Sequence, residues 1–233
     1  MDFRDRHVVV SGGTGALGTA VVGALLAAGA TCRVPYWVEA EAEHYAFRQH
    51  PRVSLVANSN LADEASVARV YDGLPSLWAS IHLVGGFAFG PIGETDKSAL
   101  LRQLEINTVT AFLSCRAAIK VMTSGNSGGR IVNVAARPAL EWRLGANMAA
   151  YTASKAAVAA LTVALSEEVA KQNILVNAVA PSIMDTPANR MDMPKADHAS
   201  WPKVEEVAAS ILFLASPDNK VTRGAVVPVY GRT

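Results

Sequence analysis

Near its N-terminus the chain reads Ser11-Gly-Gly-Thr-Gly-Ala-Leu-Gly18, between an apolar run at residues 7–10 and a segment of helical composition at residues 19–28. A buried strand, a glycine-rich turn and a helix in this order are typical of a dinucleotide-binding turn. Glycines let the backbone approach a pyrophosphate, and the helix N-terminus offers free N–H groups and a partial positive charge. The stretch therefore predicts an α/β fold with a nucleotide site at its first turn.

The rest of the chain continues the alternation of apolar runs and helical segments. Further strands are predicted at residues 31–35, 53–56, 78–84, 130–134, 174–179 and 225–230. Further helices are predicted at residues 39–50, 63–71, 98–120, 149–170 and 205–215. This alternation favours a mostly parallel sheet with helices on both faces. We therefore predict one α/β domain over residues 1–233, with about seven strands.

Composition narrows the class of protein. Of 233 residues, 51% are hydrophobic and 18% are charged, which is enough apolar material for one large core. The net charge of +1 gives no reason to expect nucleic acid or an anionic membrane as a partner. The apolar runs are too short or too interrupted to span a bilayer, and the N-terminus lacks the pattern of a signal peptide. Cys32 and Cys115 predict neither a disulfide nor a metal site. We expect a reduced, cytoplasmic protein.

The stretch Tyr151-Thr-Ala-Ser-Lys155 carries the first candidate for catalysis. Residues four apart lie on the same face of a helix, so Tyr151 and Lys155 are expected to be neighbours. A nearby ammonium lowers the pKa of a phenol from its usual value of about 10. Such a pair can exchange a proton with a substrate while a hydride moves elsewhere. The same spacing also fits a half-buried tyrosine beside a solvated lysine, so the pair alone does not decide the function.

The end of the second strand bears on the choice of cofactor. An acid there would bind the ribose hydroxyls of NAD, and a basic residue would suit the phosphate of NADP. The position falls at Tyr36, which is neither, with Glu39 just beyond it. The preference for NAD or NADP therefore stays open, and the lack of an acid at Tyr36 predicts that NADPH is accepted. Asn60, after the third strand, is a candidate for the adenine edge and equally for a turn residue.

From end to end the chain resembles the short-chain dehydrogenase/reductase family. The matching pieces are Ser11 to Gly18, Val84-Gly85-Gly86, Asn107, Arg130-Ile-Val-Asn-Val134, Tyr151-x-x-x-Lys155, Asn177-Ala-Val-Ala-Pro181 and Thr186. The resemblance implies a single Rossmann-type domain with a doubly wound parallel sheet. It also implies hydride transfer between NAD or NADP and a small-molecule substrate.

The resemblance assigns roles to individual residues. Tyr151 would donate the proton, Lys155 would hold the nicotinamide ribose and lower the pKa of Tyr151, and Asn107 would bind a water of a proton relay. Ile183, through its backbone, and Thr186, through its hydroxyl, would hold the carboxamide and phosphate side. The expected cofactor contacts are Gly12, Thr14, Gly15, Ala16, Leu17, Gly18, Tyr36, Asn60, Gly85, Gly86, Lys155, Pro181, Ile183 and Thr186. The expected substrate contacts are Ala136, Met184 and Trp201.

Two departures from the family pattern concern the site. Ala16 replaces the middle glycine of the turn, a small change that should still fit. The family usually has a serine shortly after the fifth strand that binds the substrate carbonyl. Here that position is Ala136, and residues 135–150 contain neither serine nor threonine. The hydroxyl that would orient an oxyanion is therefore expected to be absent.

A narrower resemblance, to the dihydropteridine reductase branch, accounts for the missing serine, because that branch lacks it too. The similar pieces are Gly12-Gly13-x-Gly15-Ala-Leu-Gly18, Gly85-Gly86, Asp185-Thr-Pro-Ala-Asn-Arg190, Met193-Pro-x-Ala-Asp197 and Ser200-Trp201. The last three belong to a substrate-covering loop expected at residues 184–203. The branch implies a quinonoid dihydropterin, a conjugated acceptor that spreads the charge of the hydride over a ring. A fixed donor to one oxygen is then less necessary.

Two other functions stay open. One is a carbonyl reductase or alcohol dehydrogenase that works without the usual serine. The other is a non-catalytic NAD(P)-binding sensor or scaffold, although the presence of Tyr151, Lys155 and Asn107 together argues against it. For assembly, the helices that begin near residues 98 and 149 carry apolar residues beyond one core-facing stripe. In the superfamily these helices pair across a two-fold axis, so a homodimer or homotetramer is expected.

Overall fold

Seven parallel strands form a single sheet in the order β3-β2-β1-β4-β5-β6-β7. The computed structural model describes residues 1–125 and 128–233. The strands are β1 His7–Ser11, β2 Thr31–Pro35, β3 Val53–Val56, β4 Ala79–His82, β5 Gly129–Val134, β6 Ile174–Pro181 and β7 Val226–Val229. The chain winds outward from β1 to β3, returns beside β1 as β4, and winds outward the other way. The predicted doubly wound sheet is confirmed.

Helices cover both faces of this sheet. They are α1 Ala16–Ala27, α2 Glu39–Glu43, α3 Glu64–Tyr71, α4 Lys97–Gln103, α5 Thr110–Ser124, α6 Ala149–Glu168, α7 Pro187–Asp192 and α8 Val204–Ala215. On one face Val8 and Val10 pack with residues of α1 and α8, while on the other Val9 packs with residues of α3 and α5. Because successive strand residues point to opposite faces, both faces of β1 are buried in apolar cores.

The predicted helix at residues 39–50 is wrong beyond its first turn, since α2 ends at Glu43. Tyr45 is buried, Phe47 packs beside it in the core, and their rings meet edge to face with centroids 5.7 Å apart. Two residues separated by one position lie on different sides of a helix. Burying both rings therefore favours a chain of turns over a continued helix.

The predicted helix at residues 98–120 extends over α4 and α5, which are joined by a π-helical turn at Leu104–Val109. The substrate-covering loop predicted at residues 184–203 contains α7 and a 3-10 turn, His198–Ser200. α7 begins there because Thr186 caps it and Pro187 suits the first helical position.

Within the described residues, α6 is the helix long and apolar enough to cross a membrane by length and composition alone. Its buried residues include Ser154, Lys155, Thr162 and Ser166, and the helix packs against β6. The expectation that every apolar run is too short or too interrupted to span a bilayer is therefore wrong for α6 by length and composition, although its buried residues mark the side that packs against the sheet.

All seven strands run in the same direction, so their carboxyl ends meet at one edge of the sheet. β1 and β4 are neighbours there although β2 and β3 separate them in sequence. Open α/β sheets bind ligands at such a reversal of strand order. The glycine-rich turn after β1, the two glycines after β4 and the N-terminal part of α6 all lie at this edge.

Candidate active site

The glycine-rich turn packs tightly against the segment that follows β4. Gly12 adopts a φ of +70°, and a Cβ there would lie 2.9 Å from the backbone nitrogen of Val84. A Cβ on Gly18 would lie 2.1 Å from the carbonyl oxygen of Gly12. Only glycine fits either position without moving the backbone. The turn therefore brings the start of α1 directly beside the loop after β4.

The N-terminus of α1 is suited to a pyrophosphate. Gly15 is its capping residue, and no side chain within the described ranges caps it. Ala16 is exposed, so replacing the usual glycine by alanine obstructs nothing, while Leu17 is buried and can offer only its backbone. A helix N-terminus without a side-chain cap presents N–H groups to an anion. The residues here fit the diphosphate of a dinucleotide.

Two carboxylates approach the cofactor side of β2. The Thr14 hydroxyl of the glycine-rich turn donates to Glu41 Oε2 at 2.8 Å, and the Tyr36 hydroxyl donates to Glu39 Oε2 at 3.0 Å. The end of β2 holds no acid, as predicted, but the Glu39 carboxylate noted in the sequence contacts Tyr36. The acids come from α2, which folds back toward the turn, and not from the strand itself.

Asn60 takes the turn role. Its Oδ1 accepts the backbone N–H of Ala62 at 3.1 Å, which fixes the turn before α3. The side chain is exposed, and its acceptor is engaged within its own segment. The alternative role at the adenine edge stays a prediction.

Asn107 lies in the π-helical turn and is almost fully buried, with 1% of its surface exposed. Its Oδ1 accepts the N–H of Gly86 at 3.0 Å, and its Nδ2 donates to the carbonyl oxygen of Gly86 at 2.9 Å. Nδ2 also donates to Ser154 Oγ at 3.0 Å. The side chain therefore holds the loop after β4 in place. The water-binding role of Asn107 stays a prediction.

Tyr151 and Lys155 lie one turn apart on α6, as their spacing predicts. The Tyr151 ring meets the Phe87 ring edge to face, with centroids 5.0 Å apart. Lys155 Nζ donates to the carbonyl oxygen of Val134, at the end of β5, at 2.9 Å. A Cβ on Gly85 would lie 2.7 Å from Asn107 Oδ1 and 3.0 Å from Lys155 Nζ, so glycine leaves room for both side chains. The fold thus brings the ends of β4 and β5 to the two candidate catalytic side chains.

Burial controls the protonation of this pair. It raises the pKa of Tyr151 to about 12 and lowers the pKa of Lys155 to about 8. The predicted lowering of the Tyr151 pKa by Lys155 is not found, because desolvation of the phenol outweighs any attraction from the ammonium. Tyr151 therefore keeps its proton at neutral pH.

Ser154, between the two catalytic candidates, was not singled out by the sequence. Its hydroxyl donates to the Tyr151 carbonyl oxygen at 2.7 Å and accepts from Asn107. Its own carbonyl oxygen accepts the Thr108 hydroxyl at 2.9 Å. Ser154 therefore joins α6 to the π-helical turn. A serine three residues after Tyr151 was a usable signal, because hydroxyls on helices often bond the preceding turn.

Ala136 stands just before the 3-10 turn Arg137–Ala139 and is 5% exposed. Its neighbour Ala135 packs in an apolar cluster with Ala139 and Ala180. The absence of a hydroxyl at Ala136 follows from the sequence, and the structure buries the remaining methyl group next to this apolar cluster.

The substrate loop, residues 184–203, is closed at its base. The Asp185 N–H donates to the Pro202 carbonyl oxygen at 2.9 Å. Arg190 donates to both carboxylate oxygens of Asp185, at 2.5 and 2.9 Å, and this interaction lowers the pKa of Asp185. Asn189 Nδ2 donates to the Met184 carbonyl oxygen at 2.8 Å. These bonds give the loop a defined shape.

The residues predicted to contact ligands from this segment differ in their accessibility. Ile183 is 44% exposed after Pro181, the last residue of β6, whereas Trp201 is 7% exposed and packs on the His198 ring. Thr186 uses its hydroxyl oxygen to accept the Asn189 N–H. Trp201 therefore supports the loop from within and does not present an open face, as the predicted substrate contact would require.

Exposed aromatic side chains at this edge of the sheet were missed at the sequence level. Phe87 and Phe89, after β4, are 61% and 64% exposed, and Trp142, after β5, is 74% exposed. The two loops are joined, since the Gly90 N–H donates to the Asn147 carbonyl oxygen at 2.7 Å. The exposed Phe87 ring beside Tyr151 indicates a binding surface for an apolar or planar ligand.

Comparisons with known proteins agree with this geometry. A family model described as short chain dehydrogenase matches residues 6–197. Cis-4-hydroxycyclohexanecarboxylate dehydrogenase from Sinomonas cyclohexanicum is 32% identical over 243 residues, covering 98% of this chain and 96% of that protein. Galactitol 2-dehydrogenase from Rhizobium johnstonii is 32% identical over 240 residues, covering 96% of this chain and 93% of that protein.

Solved structures share the fold. A short-chain type dehydrogenase/reductase from Mycobacterium ulcerans matches with a TM-score of 0.88 at 23% identity, covering 100% of this chain and 90% of that one. ElxO with NADP bound matches with a TM-score of 0.87 at 22% identity, covering 97% of both chains. Together with the family model and the relatives, the geometry shows that the chain belongs to the short-chain dehydrogenase family of NAD(P)-dependent oxidoreductases.

Proposed function

We propose that this protein reduces a planar, conjugated acceptor such as a quinonoid dihydropterin. The observation that carries the proposal is Ala136, a buried methyl group where an oxyanion-binding hydroxyl would be expected. Bound NADH or NADPH would supply a hydride to the acceptor. An acceptor that spreads the resulting charge over a ring needs less help from one fixed donor than a simple ketone does.

Tyr151 is the proton donor in this proposal. Its phenol is protonated at neutral pH, and because burial raises its pKa to about 12 it gives its proton only to an acceptor atom that becomes strongly basic. Lys155 lies one turn away, with its Nζ on the Val134 carbonyl oxygen. The predicted role of Lys155 toward the nicotinamide ribose fits this position at the strand ends. The Asn107 bonds to Gly86 keep the neighbouring loop fixed while the proton moves.

The surroundings of Tyr151 suit a flat ligand. Phe87 contacts the Tyr151 ring, and most of the Phe87 surface is exposed. Aromatic rings bind planar conjugated groups by stacking or edge-to-face contact, worth about 0.5–1.5 kcal/mol beyond simple burial. Phe89 and Trp142 add exposed rings on the two adjoining loops.

The loop that resembles dihydropteridine reductase supports the pterin only indirectly. Asp185, Arg190, Asn189 and His198 are used in hydrogen bonds within the loop. Their pattern therefore accounts for the shape of the loop. The substrate proposal depends on Ala136 and Phe87 and not on these shared residues.

A carbonyl reductase or alcohol dehydrogenase is the second candidate. It is favoured by the names of the relatives, one acting on cis-4-hydroxycyclohexanecarboxylate and the other on galactitol. Both names describe the oxidation of a ring or chain alcohol. In this case Tyr151 would act on an alcohol or carbonyl oxygen without a second hydroxyl at Ala136.

One experiment separates the two candidates. Oxidation of NADH and of NADPH is followed with a quinonoid dihydropterin, a quinone, a simple ketone and, in reverse, a cyclohexanol. We expect kcat/KM to be highest for the conjugated acceptors and Phe87→Leu to lower it about tenfold for them. Phe213→Leu, an exposed phenylalanine on α8, is the matched control. A higher kcat/KM for the ketone or the cyclohexanol would instead support a carbonyl reductase or alcohol dehydrogenase.

We also propose that the protein is a homo-oligomer in a reducing compartment. Exposed apolar side chains on α4, α5 and α6, among them Leu101, Phe112 and Val163, suit a homodimer or homotetramer that pairs these helices. Residues of this kind in one region are typical of subunit contacts. With two free, buried cysteines, a reducing compartment such as the cytoplasm fits the chain.

A further inference from the structure

We propose that Arg137 is a positioning residue for the reaction, because it links the substrate loop to the turn that follows Ala136. The link runs through residues 230–233, called here the 230–233 segment. Arg137 binds this segment from one side, and the segment binds the chain at both ends of the substrate loop. The inference rests on the proposed covering of the acceptor by residues 184–203 and is independent of which acceptor is reduced.

The half-buried side chain of Arg137 makes three contacts at once. Its Nε donates to Glu141 Oε1 at 3.2 Å, and its Nη1 donates to the carbonyl oxygen of Thr233 at 2.8 Å. Its guanidinium also lies over the Tyr230 ring, 4.6 Å from the centroid. Burial and the Glu141 carboxylate raise the pKa of the Tyr230 hydroxyl, so these side chains form one cluster. A planar guanidinium can serve a carboxylate, a carbonyl oxygen and an aromatic face together.

The 230–233 segment is bonded to the chain at both ends of the substrate loop. Just before the loop, the Ser182 hydroxyl donates to the carbonyl oxygen of Tyr230 at 2.8 Å. Near the end of the loop, the carbonyl oxygen of Ser200 accepts the backbone N–H of Arg232 at 2.9 Å. Gly231 has a φ of +66°, and a Cβ there would lie 2.8 Å from the same Ser200 oxygen. Glycine is therefore required where the segment passes the loop.

These contacts connect the substrate loop to the surroundings of Ala136. Arg137 directly follows Ala136 and begins the 3-10 turn Arg137–Ala139. Loops that depend on a few bonds can open locally while the rest of the domain stays folded. Loss of the Arg137 contacts should therefore loosen the loop over the acceptor. Since Tyr151 is untouched, acceptor binding weakens while the chemical step is kept, and KM rises without a matching fall in kcat.

The test compares Arg137→Met with the wild type on whichever acceptor the wild type turns over best. We expect KM for this acceptor to rise about fivefold to tenfold, with kcat and the Kd of the reduced cofactor within about twofold. Trypsin should cut about fivefold faster after Lys195, an exposed loop residue, with little change in the free energy of unfolding. Arg4→Met, which removes an exposed arginine paired with Asp2, is the matched control and should change neither KM nor cleavage.

Gly231→Ala tests the same link from the other side, because the added methyl would displace the 230–233 segment from Ser200. It should raise KM and tryptic cleavage as Arg137→Met does. The double variant should exceed the larger single effect by no more than about twofold, because both changes release the same contact. Gly73→Ala is the matched control, since Gly73 has a φ of +63° and a Cβ there would meet no described atom within 4 Å.

The proposal is overturned if Arg137→Met or Gly231→Ala leaves KM within about twofold of the wild type, or if their effects multiply in the double variant. If Arg137→Met does not fold, Gly231→Ala alone decides. A joint loss of kcat, cofactor binding and stability would also overturn it, because Arg137 would then serve the fold alone. A simple ketone as the best acceptor would refute the quinonoid substrate and leave this test of Arg137 intact.

Discussion

The amide of Asn107 and the backbone of Gly86 exchange two hydrogen bonds, of 3.0 and 2.9 Å, which join the π-helical turn to the loop after β4. This loop carries Phe87, whose ring contacts Tyr151. The same amide reaches Ser154 on α6. A single buried side chain thus holds together the glycine turn after β4 and the helix that bears the proton donor.

Replacing Asn107 should therefore destabilise the site as well as the fold. In Asn107→Ala the N–H and carbonyl of Gly86 and the Ser154 hydroxyl lose a partner, and each unsatisfied buried group costs about 1–3 kcal/mol. We expect the free energy of unfolding to fall by about 2–4 kcal/mol in urea titrations, with weaker binding of the reduced cofactor. Gln172→Ala, an exposed substitution, should stay within about 0.5 kcal/mol of the wild type. If Asn107→Ala left both the free energy of unfolding and cofactor binding unchanged, Asn107 would not hold the loop after β4 in place.

His82 gives a prediction for the dependence of stability on pH. Its ring is buried between Ser80, whose hydroxyl lies 2.8 Å from Nε2, and Asn133, whose Oδ1 lies 2.7 Å from Nδ1. Burial lowers the pKa of His82 from 6.5 to about 4. Between these pH values the unfolded chain binds more protons than the folded chain. The stability that neutral His82 contributes to the fold is therefore present above pH 6.5 and is lost as pH falls toward 4. The full loss is about 3 kcal/mol.

The measurement is the free energy of unfolding between pH 4.5 and 7 for the wild type and His82→Gln. The variant should show a shallower decline toward acid, because it lacks the group that must gain a proton. His44→Gln removes an exposed histidine and should keep the wild-type slope. Equal slopes for the wild type and His82→Gln would show that another group causes the decline.

The positions of β1, β4 and β6 could be predicted because these strands are buried on both faces and lie in short, mostly apolar runs. Tyr151 and Lys155 were also predictable, since their spacing is local to one helix. The contacts between Thr14 and Glu41 and between Phe87 and Tyr151 join distant segments, for which local pattern carries no signal.

Two predictions from the sequence are wrong because they depend on burial, which is set by contacts between distant segments. The helix expected at residues 39–50 has favourable composition, but burial of Tyr45 and Phe47 outweighs it. The expected lowering of the Tyr151 pKa considered only the neighbouring ammonium, whereas burial shifts the pKa of both groups. Local propensity and spacing cannot report the degree of burial.

Assembly can be tested through the exposed apolar side chains of α5 and α6. Phe112 and Val163 are 47% and 46% exposed. Light scattering at micromolar concentration should give two or four times the chain mass of 24.5 kDa. Phe112→Asp should lower that mass, because a buried unpaired charge is costly at an interface. Val221→Asp, at a residue 84% exposed, should not change it. A single-chain mass for the wild type would refute this assembly.

The buried methyl of Ala136 offers the sharpest test of the proposed acceptor. If the natural substrate is a ketone, Ala136→Ser restores a donor to the developing oxyanion, which can be worth about 2.7–4 kcal/mol when fully placed. If the acceptor is a delocalised ring, no localised oxyanion lies there. The new hydroxyl then gains little and leaves a buried polar group without a partner, at about 1–3 kcal/mol. We expect no gain in kcat/KM on the preferred acceptor.

The control is Ala135→Ser, which places the same hydroxyl in the adjoining apolar cluster with Ala139 and Ala180. It should lower stability and leave the ranking of acceptors unchanged. Tyr151→Phe should still sharply reduce turnover of every acceptor that needs a proton. A gain of about tenfold for Ala136→Ser on the preferred acceptor, equal to about 1.4 kcal/mol, would instead indicate a carbonyl reductase that lacks one donor. If Tyr151→Phe left kcat/KM unchanged for every acceptor, Tyr151 would not be the proton donor. In that case the phenol beside Phe87 would serve only in packing.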